Sequence, residues 1–254
     1  IEFTRGRARV GETTFAVVDT PGLYSLMPLT EEERVARSIL LDADERCVVV
    51  HMVDAKNIER MLPLTVQLRE LGLPLVLVLN MMDEADATGV SLDSAGLSQA
   101  LGVPVVEAVS IARRGVSELR EAILAAAADD APAPLVRYGE RLEQAIEQIV
   151  ALLPGRFAHL SRAAALLLLQ HDDEVERLVA GDDAGAAAAI AAIARETERR
   201  RRGQPTAFSV AMARQALSRE LIQTHVQIPV EPRRGLAERL SELTINPWTG
   251  VPIL

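Results

Sequence analysis

Three short stretches in the first half of this 254-residue chain carry residues that could do chemistry, and each stands where an apolar run gives out. The first is Asp19-Thr20-Pro21-Gly22. A carboxylate at the end of a buried strand can hold the water shell of a phosphate-bound magnesium ion, and a glycine lets a backbone N–H approach the terminal phosphate closely. The second is Asn80-Met81-Met82-Asp83, directly after a run of Leu and Val. A carboxylate at the fourth position can accept two hydrogen bonds from the ring N–H and exocyclic amine of guanine, whereas adenine offers no such donor pair. Asn80 is then placed to brace the neighbouring loops. The third is Ser110-Ile111-Ala112, a short turn whose backbone can meet the guanine carbonyl. Singly, each has an ordinary explanation: Asp-Pro-Gly is common turn punctuation, and N-x-x-D is a common capping turn. Taken together and in this order after successive strands, they converge on one edge of a sheet, which is where open α/β sheets bind their ligands.

The elements that must position them follow from the apolar pattern. Strands are expected at 2–10, 14–19, 47–53, 75–80 and 105–109, mostly as continuous Val/Leu runs of the kind buried on both faces of a parallel sheet. Helices are expected at 31–41, 57–71, 92–101 and 116–128, the second opening on Asn57 as N-cap and closing on Gly72. The first two strands, joined through Gly11 and Glu12, read as an edge hairpin that would make the sheet mixed. Asp129-Asp130-Ala131-Pro132-Ala133-Pro134 is a polar, proline-rich connector, and beyond it nearly everything has helical spacing, as in Leu142, Ile146, Ile149 and Leu153. The fold class is therefore α/β, a sheet with flanking helices over residues 1–130, followed by a small all-helical domain over 135–245.

Bulk properties exclude several classes. With 36 acidic against 27 basic residues the net charge is -9, the wrong sign for gripping nucleic-acid backbones. The single cysteine, Cys47, rules out a disulfide framework within the chain. Apolar stretches such as 163–169 fall well short of the roughly 20 residues that span a bilayer. His51, His159, His171 and His225 show no metal-ligand spacing, and Asp172-Asp173-Glu174 and Asp182-Asp183 read as solvated helix caps.

The flanking residues make the pattern specific. Asp19-Thr20-Pro21-Gly22-Leu23-Tyr24-Ser25-Leu26, then Val53-Asp54-Ala55-Lys56-Asn57-Ile58-Glu59-Arg60, then Asn80-Met81-Met82-Asp83-Glu84-Ala85, resemble the guanine-nucleotide-binding domain of the bacterial ferrous iron transport protein B family. The helical half is similar to that family's helical cytoplasmic domain, and residues 246–254, with Trp248, resemble the segment leading to the first membrane helix. The resemblance implies a P-loop-GTPase-like sheet and a GTP/GDP site with Mg2+, in which Asp19, through water, is the only residue of this chain to touch the metal. It further implies Fe(II) as the transported ion, a transmembrane part of the same protein as partner, and a place on the cytoplasmic side of the bacterial inner membrane.

One part of that pattern is missing. A G-x-x-x-x-G-K-[ST] loop holds the β and γ phosphates in such proteins, and this sequence has none; its single lysine, Lys56, sits at a strand end. Ile1 in place of an initiator methionine points to truncation upstream. Such a truncation leaves a gap in the sheet, apolar surface that favours association of copies, and little or no GTPase activity in the isolated chain. Leu23 stands where many regulatory GTPases carry a water-orienting glutamine, which implies slow intrinsic hydrolysis. Two other readings compete: a nucleotide-free pseudo-GTPase that acts as an interaction module, and a soluble GTPase of translation or ribosome assembly. The acidic charge and the tail argue against the second.

Overall fold

The computed structural model describes residues 4–43, 47–128, 133–200 and 204–229. The segment expected to lead into a membrane helix, with Trp248, lies outside these residues, as does most of the connector.

The chain opens with two antiparallel strands, β1 (Thr4–Val10) and β2 (Thr13–Asp19), turning through Gly11 and Glu12 as expected. Helix α1 (Glu31–Leu41) starts on a capping box in which Thr30 and Glu33 satisfy each other's backbone N–H groups. Then come β3 (Val49–Asp54), α2 (Ile58–Glu70), β4 (Leu75–Asn80), α3 (Met82–Thr88), the two-residue β5 (Ser91–Leu92), α4 (Ser94–Leu101), β6 (Val105–Glu107) and α5 (Val116–Ala128). The rest is α6 (Glu140–Val150), α7 (Ser161–Leu169), α8 (Asp173–Asp182), α9 (Ala184–Arg200), α10 (Thr206–His225) and a final short strand, β7 (Val226–Gln227).

Strands β3, β4 and β6 form a parallel sheet in that order, in register Val50↔Val76 and Leu77↔Val105. The hairpin does not join it: among the described residues β1 and β2 pair only with each other, so the expected mixed sheet exists as two separate pieces. The physical reason is local. A hairpin needs only its own turn to close, whereas parallel pairing of β2 or β3 needs a further strand beside it.

Burial follows the same division. On β4, Leu75, Leu77 and Leu79 enter a large core shared with α2, α4 and the helical half, while Val76 and Val78 pack against Ala122 and Ala126 of α5. On β3, His51 and Val53 face the large core. Their neighbours Val50 and Met52, in register with Val76 and Val78, are 36% and 48% exposed. The second face of β3 is thus uncovered at these two residues.

Besides shifts of one to two residues at the ends of β2, β3 and β6, two helix starts move from the sequence reading. Asn57 closes a 3-10 turn over Ala55–Asn57 and makes no side-chain cap; its amide donates instead to Asp54 (2.7 Å). Helix α4 begins at Ser94, because Asp93 accepts from the Gly96 N–H and caps it. Gly96 is required there, since a Cβ would lie 2.0 Å from the Asp93 carboxylate and 2.4 Å from the His225 ring.

The helical half is sealed onto the sheet by buried polar contacts. Glu70, at the end of α2, accepts from Tyr138 Oη (2.7 Å) and Arg214 Nε of α10 (2.6 Å). At the far end of α10, Asp93 donates its N–H to the His225 carbonyl (2.8 Å), and β7 pairs with β5.

Candidate functional site

The end of β4 and the loop after β6 are built as one unit. The Ala108 N–H donates to the Leu79 carbonyl (2.8 Å) and the Met82 N–H to the Ala108 carbonyl (3.3 Å), carrying the parallel pairing past the strand ends. Asn80 then locks the two loops together, its Oδ1 accepting from the Ser110 N–H (3.1 Å) and the Ser110 hydroxyl (2.9 Å). This is the bracing expected of that asparagine.

Met81 adopts a left-handed conformation, φ +60°, which turns the chain sharply from strand into α3. The turn buries Met82 as an anchor and leaves Met81 and Asp83 exposed on the same short segment. The Asp83 carboxylate makes no hydrogen bond or ion pair among the described residues. Its neighbour Glu84 takes the ammonium of Lys56 as partner, and that hydrogen bond, opposed by slight desolvation and helped by the charges of Glu84, Asp54 and Asp83, holds the Lys56 pKa above its ordinary value.

Ser110, Ile111 and Ala112 form a single 3-10 turn with Ile111 92% exposed, closed by a bridge between Val109 and Arg114. Gly115 makes the closure possible. Its φ is +85°, and a Cβ there would stand 2.2 Å from the Glu107 carbonyl oxygen.

The stretch Asp19-Thr20-Pro21-Gly22 is placed differently. It leaves the end of β2 with Asp19, Thr20 and Gly22 exposed and Pro21 half-buried. Its hold on the rest of the protein comes further on, where the Ser25 hydroxyl (3.2 Å) and the Leu26 N–H (2.9 Å) both donate to Gln67 Oε1 of α2. The structure therefore joins the second and third stretches directly and ties the first to α2. Gln67 was missed by the sequence reading, since it sits in an alternating Leu-Thr-Val-Gln-Leu run that gives no sign of which polar side chain turns inward. The Thr30-x-x-Glu33 capping signature at the end of the same loop could have been read. Among the described residues no three His, Cys, Asp or Glu side chains gather as a metal site, and no helix is long and apolar enough to cross a membrane.

Comparison with known proteins bears on this arrangement. The family profile described as ferrous iron transport protein B matches residues 1–123, and that described as the FeoB cytosolic helical domain matches residues 138–227. A GDP-bound point mutant of S. thermophilus NFeoB superposes with a TM-score of 0.68 at 32% identity, over 84% of this chain and 81% of that one. The chain belongs to the ferrous iron transport protein B family. Its α/β fold with an appended helical domain is also that of the L. pneumophila FeoB cytosolic domain, with a TM-score of 0.74 over 89% of this chain and 86% of that one, at 24% identity. Among full-length family members, the Fe(2+) transporter FeoB of Salmonella typhimurium is 35% identical over 170 residues, 63% of this chain and 22% of that protein. The Porphyromonas gingivalis Fe(2+) transport protein A/Fe(2+) transporter FeoB fusion protein is 36% identical over 152 residues, 59% and 18%. The chain thus spans about a fifth of the length of these curated relatives.

Proposed function

We propose that this chain is the guanine-nucleotide-binding and helical region of an Fe(II) uptake transporter, lying on the cytoplasmic side of the bacterial inner membrane and coupling GTP binding and hydrolysis to iron transport. Residues 1–130 form the nucleotide domain, 135–245 the helical domain, and 246–254 lead to the membrane part of the same protein. The observation that carries the reading is the Asn80–Ser110 junction, which fixes the exposed Asp83 carboxylate and the backbone of Ser110, Ile111 and Ala112 on one rim. Asp83 accepts from the two donors of the guanine edge, the turn meets its carbonyl, and Met81 offers an exposed apolar side chain to the flat face of the base.

Asp19 and Gly22 face the phosphate end, Gly22 through its N–H and Asp19 through a water of the Mg2+ ion. One exposed carboxylate suits such indirect contact and does not suffice to hold the ion alone. These 254 residues hold no G-x-x-x-x-G-K-[ST] phosphate cradle. The uncovered Val50 and Met52 and the separation of β2 from β3 fit a further strand and helix inserted there. Without them the chain hydrolyses little or no GTP, and each charge-assisted phosphate contact it lacks costs roughly 1.5–3 kcal/mol of affinity.

The test is nuclear magnetic resonance titration of the full chain with GDP and, as control, ADP at millimolar concentration. GDP is expected to shift the amides of Asp83, Ser110 and Ile111, and ADP is not. Asp83→Asn exchanges an acceptor for a donor, so it abolishes the GDP response and favours XDP, whose base carries a carbonyl in place of the exocyclic amine. Equal responses to GDP and ADP, unaltered by Asp83→Asn, would refute the reading.

A further inference from the structure

Leu26, four residues beyond Gly22, has both of its backbone groups taken by side chains of other elements. Its N–H donates to Gln67 Oε1 (2.9 Å), and its carbonyl accepts from Arg37 Nη1 of α1 (3.3 Å). Both side chains are buried. Gln67 is itself fixed, because its Nε2 donates to the Pro63 carbonyl (3.3 Å) and so turns the amide oxygen toward the loop. The Ser25 hydroxyl donates to that oxygen and accepts from the Met27 N–H (3.1 Å), so Ser25 and Leu26 share one acceptor and Met27 joins them through the Ser25 hydroxyl.

Arg37 does not end at Leu26. Its guanidinium also binds Asp172, the N-cap of α8, and Glu174 in the first turn of that helix. Asp172 keeps its other oxygen on the Val175 N–H (3.0 Å), and Glu174 takes a second bond from the Ser38 hydroxyl (2.9 Å). Burial opposes ionisation of Glu174, but Arg37 and Ser38 outweigh it and hold the carboxyl below its ordinary range. A guanidinium so enclosed cannot swing to new partners without stranding charge away from water.

We propose that Gln67 and Arg37 are the positioning residues of the loop that follows Gly22, and that Asp172 and Glu174 carry the setting of this loop into the helical half of the chain. The proposal rests on the reading of Gly22 as the residue that meets the terminal phosphate. Leu26 is only four steps along the chain from Gly22, about 13–14 Å at full stretch. A ligand that draws Gly22 inward takes up that slack and then strains the bonds at Leu26. Since the carbonyl bond belongs to the same guanidinium that holds the start of α8, the strain is delivered across the domain junction.

The experiment is amide hydrogen exchange on the full chain without nucleotide, so that its failure and a failed GDP titration are distinguishable. Gln67→Leu is expected to speed exchange at Leu26 on the order of ten-fold, the loss of one hydrogen bond, while Val76 to Val78 in β4 keep their protection. Asp172→Ala, on the other side of the junction, is expected to speed Leu26 several-fold. Asp172→Asn keeps a single acceptor oxygen, enough for the Val175 N–H but not for Arg37 as well, so the helix cap survives while Leu26 is still expected to exchange faster than in wild type. Glu174→Gln serves as the milder variant if Asp172→Ala does not fold. Leu26 exchanging at the wild-type rate in both helical-domain variants would overturn the proposal. So would uniform acceleration that includes Val76 to Val78, since that reports general destabilisation.

Discussion

Acid should unfold this protein through one residue before its carboxylates matter. His51 lies on β3 with 8% of its surface exposed, its Nδ1 3.1 Å from the Thr65 hydroxyl, and burial lowers its pKa from 6.5 to about 4. The folded state therefore binds a proton less readily than the unfolded chain does. Stability is complete above pH 6.5 and falls as pH drops from there toward 4. At about 1.36 kcal/mol per pH unit the loss is about 2 kcal/mol at pH 5 and about 3 kcal/mol once the folded-state pKa is reached. In His51→Val this slope disappears, but the Thr65 hydroxyl is left without its partner, at about 1 kcal/mol. The two stability curves should consequently cross near pH 6, with wild type more stable above and the variant more stable below by about 1 kcal/mol at pH 5. Urea unfolding from pH 8 to pH 5 measures both curves. Parallel curves that never cross would show that His51 is protonated without penalty in the folded state, and the burial argument would be refuted.

Two further outcomes rest on the junction between the halves. The Glu70 side chain is 1% exposed and that of Arg214 10%, so Glu70→Gln, which strands the guanidinium, should cost about 3–5 kcal/mol and lower Tm by roughly 6–20 °C for a chain of this size; adding Arg214→Met should recover part of that loss. A single-variant cost under about 1 kcal/mol would mean the pair is not desolvated as the structure has it. The Glu143 carboxylate, doubly bonded by Arg162 at 2.7 and 2.8 Å, is held below its ordinary pKa of 4.5 chiefly by those bonds, against the opposing effect of burial. Its contribution is present above pH 4.5 and is lost as pH falls through the lower folded value, so Glu143→Gln should flatten the dependence of the urea midpoint on pH below 4.5 relative to wild type.

Most of the fold was readable because strong local signals agreed with the tertiary outcome. The limits expected for α1 and α5 coincide with those observed, as does the 75–80 strand, which an unbroken Leu/Val run marks. At the site, a bracing role for Asn80 was readable from the motif, and the structure supplies its partner, Ser110. What composition and spacing did not disclose were the partners of buried charges. Arg37, Arg69, Glu70 and Arg214 stand in helices whose polar residues read as solvent-facing, and all four are buried. Their burial is decided by the approach of another helix, in the case of Arg37 and Asp172 from 135 residues away, and no pattern within one helix reports that.

The different fates of the two halves of the site have a single cause. Asp83 and the Ser110 turn are set by β4 and β6, which already neighbour each other and pass their hydrogen bonds on to the loops, so this rim is complete in itself. Asp19 and Gly22 hang from a hairpin that, among the described residues, shares no hydrogen-bonded strand with that sheet, and their placement depends on side chains reaching Ser25 and Leu26 from α2 and α1. A rim fixed by backbone pairing holds its shape whatever occupies it. A loop fixed by two side chains can yield when a ligand pulls on it, and one of those two, Arg37, is shared with α8. The Asn80–Ser110 junction and the loop at Leu26 thus rest on different kinds of contact, backbone pairing carried past the strand ends in the first and the buried side chains of Gln67 and Arg37 in the second.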